Sequence, residues 1–335
     1  MTPSRKPHPA RLLAGLLIAP LALALGACSG SSAATDEASA SQASSAESWP
    51  RTIEFDGGSV TLDEAPQRIV ALSSDVADVA MQLVDASRIA AVPDINRSAD
   101  QSLQYETAAT IEGSLASGAN AEVEEVLAFD PDLVLVTTRH DAETDAFDQM
   151  EQAGVPVLAI TNGWDSPETF QQNVAVIGRA LGAEDEAAAV SQAYGERWQK
   201  VTDALAGVPD DDQPSTAMLR IIAGSIYYCG PGSINQAVLS AAGASLASET
   251  IGLTSSQRAE VEQVVESAPE RIVLLDSTGR GRSQYDELLS NPGLQAVPAV
   301  ADDQVLLVSA AAMSSGSGGI DALEQIAAWL HPDLF

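Results

Sequence analysis

The chain of 335 residues carries 47 acidic against 16 basic residues, a net charge of −31, and 45% hydrophobic residues. A phosphate backbone needs a basic footprint, so this balance argues against nucleic acid as a partner and suits a protein kept soluble outside the cytoplasm by self-repulsion. The length accommodates two domains of ordinary size.

Arg5, Lys6 and Arg11 precede an apolar run at 12–27 that is interrupted by Pro20. The run is short for a membrane span and has the layout of a secretory signal. It ends in Leu25-Gly26-Ala27-Cys28, which resembles a bacterial lipobox. That resemblance implies removal of residues 1–27 and lipidation of Cys28, anchoring the protein at the extracytoplasmic face of the cell membrane. Cys229 is then left without a disulfide partner and reads as a small buried residue. Residues 28–48 are almost all small or polar and read as a disordered tether.

Residues 49–165 read as a first α/β lobe. Alternation of Ile53, Phe55, Val60 and Leu62 around Asp56-Gly57-Gly58 predicts a hairpin. Short apolar strands are then expected at 68–72, 88–92, 133–137 and 155–160, with helices at 75–84, 122–129 and 142–153. Strands alternating with helices argue for a mostly parallel sheet.

Residues 166–207 are expected to link two lobes. Ser166-Pro167 offers a cap followed by proline at the first helical position, and Phe170, Val174, Ile177 and Leu181 form one stripe. A second, longer helix is expected over 183–207. Its apolar positions Ala187, Val190, Tyr194, Trp198, Val201 and Leu205 step by three or four. Glu184, Asp185 and Glu186 suit its first turn, and Gly207 with Pro209 stops it. This helix reads as a rigid strut.

Residues 208–335 resume the alternation, with strands expected at 216–222, 271–276 and 305–308 and helices at 234–242, 259–267, 284–290 and 319–330. AEVEEVLAFDPDLVLV at 121–136 aligns without a gap to AEVEQVVESAPERIVL at 259–274, with Pro131 and Pro269 in register. Both copies read as helix, proline turn, strand. The expected architecture is therefore two Rossmann-like α/β lobes joined by one long linking helix, with a ligand cleft between the lobes.

No catalytic signature is present. The sequence has no G-x-S-x-G elbow, H-E-x-x-H pair or P-loop, and only His140 and His331 follow the signal. A secreted lipoprotein hydrolase is therefore the weaker reading, and neither a cofactor nor a resident metal is expected. Ligands of open α/β sheets bind at the carboxyl ends of strands. The loops expected there carry Ser73, Ser74, Arg97, Tyr105, Arg139, His140, Asn162 and Trp164 from one lobe. The other lobe brings Tyr227, Tyr228, Arg280, Arg282, Met313 and Ser314. Arginines beside aromatics suit a planar or anionic ligand, which singles out Arg139, Trp164, Tyr227, Tyr228, Arg280 and Arg282.

The lipobox, PQRIVAL at 66–72, FDPDLV at 129–134, AGVPV at 153–157, Leu181-Gly182-Ala183 and the closing HPDLF together resemble the helical-backbone class of ABC-importer solute-binding lipoproteins. These bind ferric siderophores, haem or vitamin B12. The resemblance runs from about residue 51 to the end and implies two lobes on one long helix. It also implies that Glu124 and Glu262, equivalent in the repeat, pair with arginines of a permease dimer. A ferric siderophore is the leading ligand expectation, on the three arginines. Cobalamin is one alternative, and haem, with Tyr227, Tyr228 or His140 as axial ligand, is another.

Overall fold

The computed structural model describes residues 48–335 except 117, 139, 140 and 162. The signal sequence, Cys28, nearly all of the tether, and the site candidates Arg139, His140 and Asn162 lie outside the described residues. Among those described, no helix is long and apolar enough to cross a membrane.

The first lobe opens with the hairpin of β1 (Arg51–Phe55) and β2 (Gly58–Leu62), whose Ile53, Val60 and Leu62 face inward. It continues through β3 (Ile69–Ala71), α1 (Ser74–Leu83), β4 (Ile89–Pro93), α2 (Tyr105–Thr110), β5 (Gly113–Leu115), α3 (Val123–Leu127), β6 (Leu133–Thr137), α4 (Asp141–Gln152) and β7 (Val157–Ile160). The strand order is β5-β4-β3-β6-β7 and every pairing is parallel. β3, β6 and β7 are buried along their whole length, because helices cover both faces of such a sheet.

α5 (Pro167–Leu181) starts with the expected cap, in which Ser166 Oγ accepts the Thr169 N–H at 3.1 Å. Thr169 Oγ1 in turn accepts the Ser166 N–H at 3.0 Å. α6 (Glu184–Leu205) is the strut, 22 residues in one unbroken helix, or roughly 33 Å. The buried Arg51 fastens the hairpin to its start, with Nη1 2.5 Å from Glu184 and donating to the Arg179 carbonyl at 2.8 Å. At its far end Arg197 holds Asp321 and Glu324 of the last helix at 2.5 and 2.8 Å.

The second lobe comprises β8 (Ser215–Ile222), β9 (Ser225–Tyr228), α7 (Ile234–Ala241), β10 (Ser245–Leu246), α8 (Ala247–Thr250), β11 (Gln257–Arg258), α9 (Val261–Ser267), β12 (Arg271–Asp276), α10 (Asp286–Leu289), α11 (Pro298–Ala301), β13 (Val305–Ser309) and α12 (Ile320–Leu330). Its sheet runs β11-β9-β8-β12-β13, with β10 beside β8. β8, β12 and β13 are parallel, whereas β9 returns antiparallel to β8. The stretch holding Tyr227 and Tyr228, read from sequence as a loop, is thus a strand. Ala223 (φ 49°) and Gly224 (φ 77°) make the two-residue turn that reverses the chain. The helix expected at 284–290 is shorter, being a 3₁₀ turn at Gly281–Tyr285 followed by α10.

The sequence repeat is a structural repeat. Each copy places a left-handed residue directly before the proline, Asp130 (φ 50°) in the turn after α3 and Ala268 (φ 41°) at the C-cap of α9. β6 and β12 then begin at equivalent positions. Asp132 accepts the N–H groups of Gln67 and Arg68 at 2.6 and 2.9 Å, and its counterpart Glu270 accepts that of Ser215 at 2.9 Å. In each lobe the acidic residue after the proline clamps the central strand. One apolar cluster runs from Ile69 and Leu135 through Phe170, Ile177 and Val201 to Leu239 and Leu323, so both lobes share a core around the strut.

Candidate functional site

The carboxyl ends of the two sheets face each other across a cavity of about 600 Å³. In the first lobe the cavity lies beside the switch point between β3 and β6, where strand order reverses. There Ser73 Oγ accepts the Thr137 N–H at 3.0 Å and donates to Glu143 at 3.1 Å. Ser74 and Asp75 enter the cavity from the start of α1, and Trp164 and Asp165 from the turn after β7. The second lobe contributes Arg220 from β8, residues 231–235 after β9, Ser255 and Ser256 before β11, and residues 313–315 after β13. A second hollow of about 410 Å³, walled by Leu72, Pro93, Ile95 and Leu115, shares Ser74 with the first.

Two buried donors of residues that line the main cavity lack partners. Trp164 is 2% exposed and its Nε1 makes no hydrogen bond, and neither does the buried Nε of Arg220. A buried N–H without an acceptor costs about 1–3 kcal/mol. The Trp164 ring is fixed by a file of aromatics leading to the strut. Centroid spacings are 6.1 Å to Phe170, 4.2 Å from Phe170 to Tyr194 and 5.7 Å from Tyr194 to Trp198. Arg220 lies over the Tyr227 ring at 6.0 Å, its neighbour across the β8–β9 ladder. Ser256 Oγ accepts the Gly230 N–H at 3.0 Å, and Ser233 donates to the Gly230 carbonyl at 2.7 Å, shaping the wall between them.

The structure brings together Ser74, Trp164, Met313 and Ser314 of the candidates read from sequence, and leaves the other described candidates outside the cavity lining. Alternation along β9 sends Tyr228 into the core beneath the sheet, where its hydroxyl donates to Ser267 Oγ at 3.1 Å. Burial pushes that phenol up to about 12, far from ligation. Tyr227 supports Arg220 without lining the cavity. Arg280 is exposed and outside the cavity, and Arg282 pairs with Asp303 at 2.6 Å. Their loop is held by Asp276, which accepts the N–H groups of Thr278 and Gly281 at 3.0 and 2.7 Å. Burial alone would raise the Asp276 carboxyl, but these bonds outweigh it and hold it below the ordinary range. Arg97 donates to the carbonyls of Ile111 and Gly113, a structural role, and Tyr105 is at the surface. Cys229 is buried and pushed up to about 12 by desolvation.

Sequence reasoning missed Arg220 because it searched loops. An arginine inside the apolar run of β8 was the available signal. Ser255, Ser256, Asn235 and Gln101 also line the cavity without a motif that announces them. Glu124 and Glu262 are exposed in the first turns of α3 and α9, beside the exposed apolar residues Leu127 and Val265.

Two α/β lobes on a helical strut, with a cavity lined by hydrogen-bonding side chains between them, have the architecture of the helical-backbone class of solute receptors that serve ABC importers. Residues 69–312 match the periplasmic binding protein family, and the chain belongs to it. Proteins of this family bind solutes and are not enzymes. The chain is 28% identical over 280 residues to a cobalamin-binding protein of Halobacterium salinarum, covering 83% of this chain and 71% of the relative. Its fold superposes on a periplasmic haem-binding protein of Roseiflexus sp. RS-1 with TM-score 0.67 at 19% identity, over 81% of this chain and 100% of that one. It also matches a protein of an ABC-type Fe³⁺-hydroxamate transport system from Saccharomonospora viridis, with TM-score 0.65 at 24% identity over 83% and 98%.

Proposed function

We propose that this protein captures a corrinoid of the cobalamin type outside the cytoplasm and delivers it to an ABC permease. The carrying observation is the cavity's charge. Arg220 is the cation lining it among the described residues, and Asp75 and Asp165 line it as well. Among the described residues such a lining suits a largely neutral ligand with one anionic group better than a multiply anionic iron complex. A cobalamin has that make-up, with carboxamides around the corrin ring and a single phosphodiester. Serine hydroxyls and the side chains of Gln101 and Asn235 complement the carboxamides, while the Arg220 guanidinium offers a charged donor to the phosphodiester and Trp164 an aromatic wall beside it. The relative in Halobacterium salinarum supports the same choice. The siderophore reading drew on three arginines, of which Arg280 and Arg282 stand outside this cavity. For haem, no described His, Cys or Tyr lines it. Calorimetric titration against cyanocobalamin, a ferric hydroxamate and haemin tests the assignment.

Anchoring and docking belong to the same reading. Cys28→Ala is expected to move the protein from the detergent to the aqueous phase on partition, and unchanged partition would remove the lipid anchor. Glu124 and Glu262, at equivalent points of the two lobes, suit a permease dimer with one arginine on each subunit. Glu124→Lys combined with Glu262→Lys is expected to abolish uptake in cells while cyanocobalamin affinity stays within twofold. Uptake at the wild-type rate by the double variant would remove that role.

A further inference from the structure

Behind the cavity the two lobes meet along a polar seam. Asp78 of α1 is 2% exposed and accepts three hydrogen bonds there. Two come from its own lobe, from Ser102 Oγ at 2.5 Å and Asn96 Nδ2 at 2.7 Å, and the third comes from Ser314 Oγ of the other lobe at 2.7 Å. Around this centre Gln82 Nε2 donates to the Gly316 carbonyl at 3.0 Å, and the Ala311 N–H to the Asp100 carbonyl at 3.0 Å. Residues 313–315 are also a wall of the cavity, so the Asp78–Ser314 contact connects the seam to the ligand space.

We propose that Asp78 is a positioning residue for the cavity wall, and that its protonation tightens the seam between the lobes while its ionisation loosens it. A carboxylate buried this deeply loses hydration that three neutral donors only partly replace. Burial, opposed by these hydrogen bonds and reinforced by the charge of Asp75 on the same helix, raises the Asp78 carboxyl to about 6. Among the described residues, the other segments packed on the seam bring no cation to Asp78. Arg97 is committed to the Ile111 and Gly113 carbonyls, and the Asp100 carboxylate lies against Gly279. From α5 and α6 come Phe170 and Tyr194, which pack against Gly318, with Glu168 acting on Tyr194.

The sign follows from linkage. Opening the seam returns Asp78 toward water and its ordinary value near 3.8. The closed seam therefore binds the proton more tightly than the open one, so acid favours closure and neutral pH favours opening. Protonated Asp78 keeps one acceptor oxygen and gains a donor, and the serine hydroxyls can turn to accept it. At neutral pH the loop at 313–319 is thus the part of the wall most ready to part from α1. The proposal depends on the corrinoid reading only for its consequence for binding.

Amide hydrogen exchange of the ligand-free protein tests it without any ligand. Residues 313–319 are expected to exchange roughly tenfold more slowly at pH 5.0 than at pH 7.5, once the intrinsic pH dependence of amide chemistry is divided out. Amides of α9, remote from the seam, serve as the control. Asp78→Asn, neutral at every pH, should be slow at both and lose the difference. Equal or faster corrected exchange in acid for the wild type, or a variant that keeps the wild-type difference, overturns the proposal.

Discussion

Arg220→Ala is expected to weaken cyanocobalamin binding roughly tenfold to a hundredfold without lowering the melting temperature of the ligand-free protein. The first half follows from losing one charge-assisted hydrogen bond, worth about 1.5–3 kcal/mol when desolvated, at about 1.4 kcal/mol per decade of affinity. The second half follows from what Arg220 lacks. Its Nε has no acceptor, and among the described residues the guanidinium makes no ion pair, so truncation removes no internal polar bond. Among the described residues its guanidinium lies over the Tyr227 ring at 6.0 Å. Arg282→Ala is the matched control. That side chain is 47% exposed and pairs with Asp303 at the surface, where an ion pair is worth little. Binding by Arg282→Ala should stay within twofold of wild type. Wild-type affinity in Arg220→Ala, or an equal loss in both variants, would show that the cavity is not the binding site.

Gly316→Ala is expected to be strongly destabilising, although it adds only one methyl group to the seam. A Cβ there would stand 2.4 Å from Asp78 Cβ and 2.6 Å from the Asp75 carbonyl oxygen, and both atoms belong to the body of α1 rather than to a flexible tip. Either α1 or the loop must move, which disturbs the Gln82–Gly316 and Asp78–Ser314 bonds together. Overpacking of this kind costs about 1–3 kcal/mol, and the added loss of seam bonds places Gly316→Ala at the upper end. The melting temperature should fall on the order of 5–10 °C. Gly207→Ala, with no atom within 4 Å of the new methyl, should leave it nearly unchanged. Equal melting of the two variants would mean that the lobes are not locked where α1 meets the loop.

Much of the scaffold was legible because its signals are local. The strut follows from a stripe of three- and four-residue steps, and α5 from Ser166-Pro167. The paired α3–β6 and α9–β12 units follow from a proline at matching positions. β9 was not legible, because its turn is Ala223-Gly224 rather than Asn-Gly, and the apolar residues before it run straight into the turn. Missing that strand misplaced Tyr228, since only alternation reveals that it and Tyr227 face opposite ways. The cavity was half legible. Trp164, Ser74, Met313 and Ser314 sit in loops at strand ends, where α/β sheets place ligands. Arg220 is in the strand itself and becomes a cavity residue only because β8 is central. Arg282 drew notice as a scarce cation in an acidic chain, yet its partner Asp303 is 21 residues away and is brought close only by the fold. Asp78 and Ser314, 236 residues apart, meet for the same reason.

The central claim is that the space between the lobes receives one largely neutral, amide-rich ligand held at Arg220 and Trp164. Isothermal titration of the purified protein with cyanocobalamin, with a ferric hydroxamate and haemin in parallel cells, addresses it most directly. The account predicts one-to-one binding of cyanocobalamin with neither iron compound competing. Saturable binding of the ferric hydroxamate or of haemin, with no heat from cyanocobalamin, would contradict it.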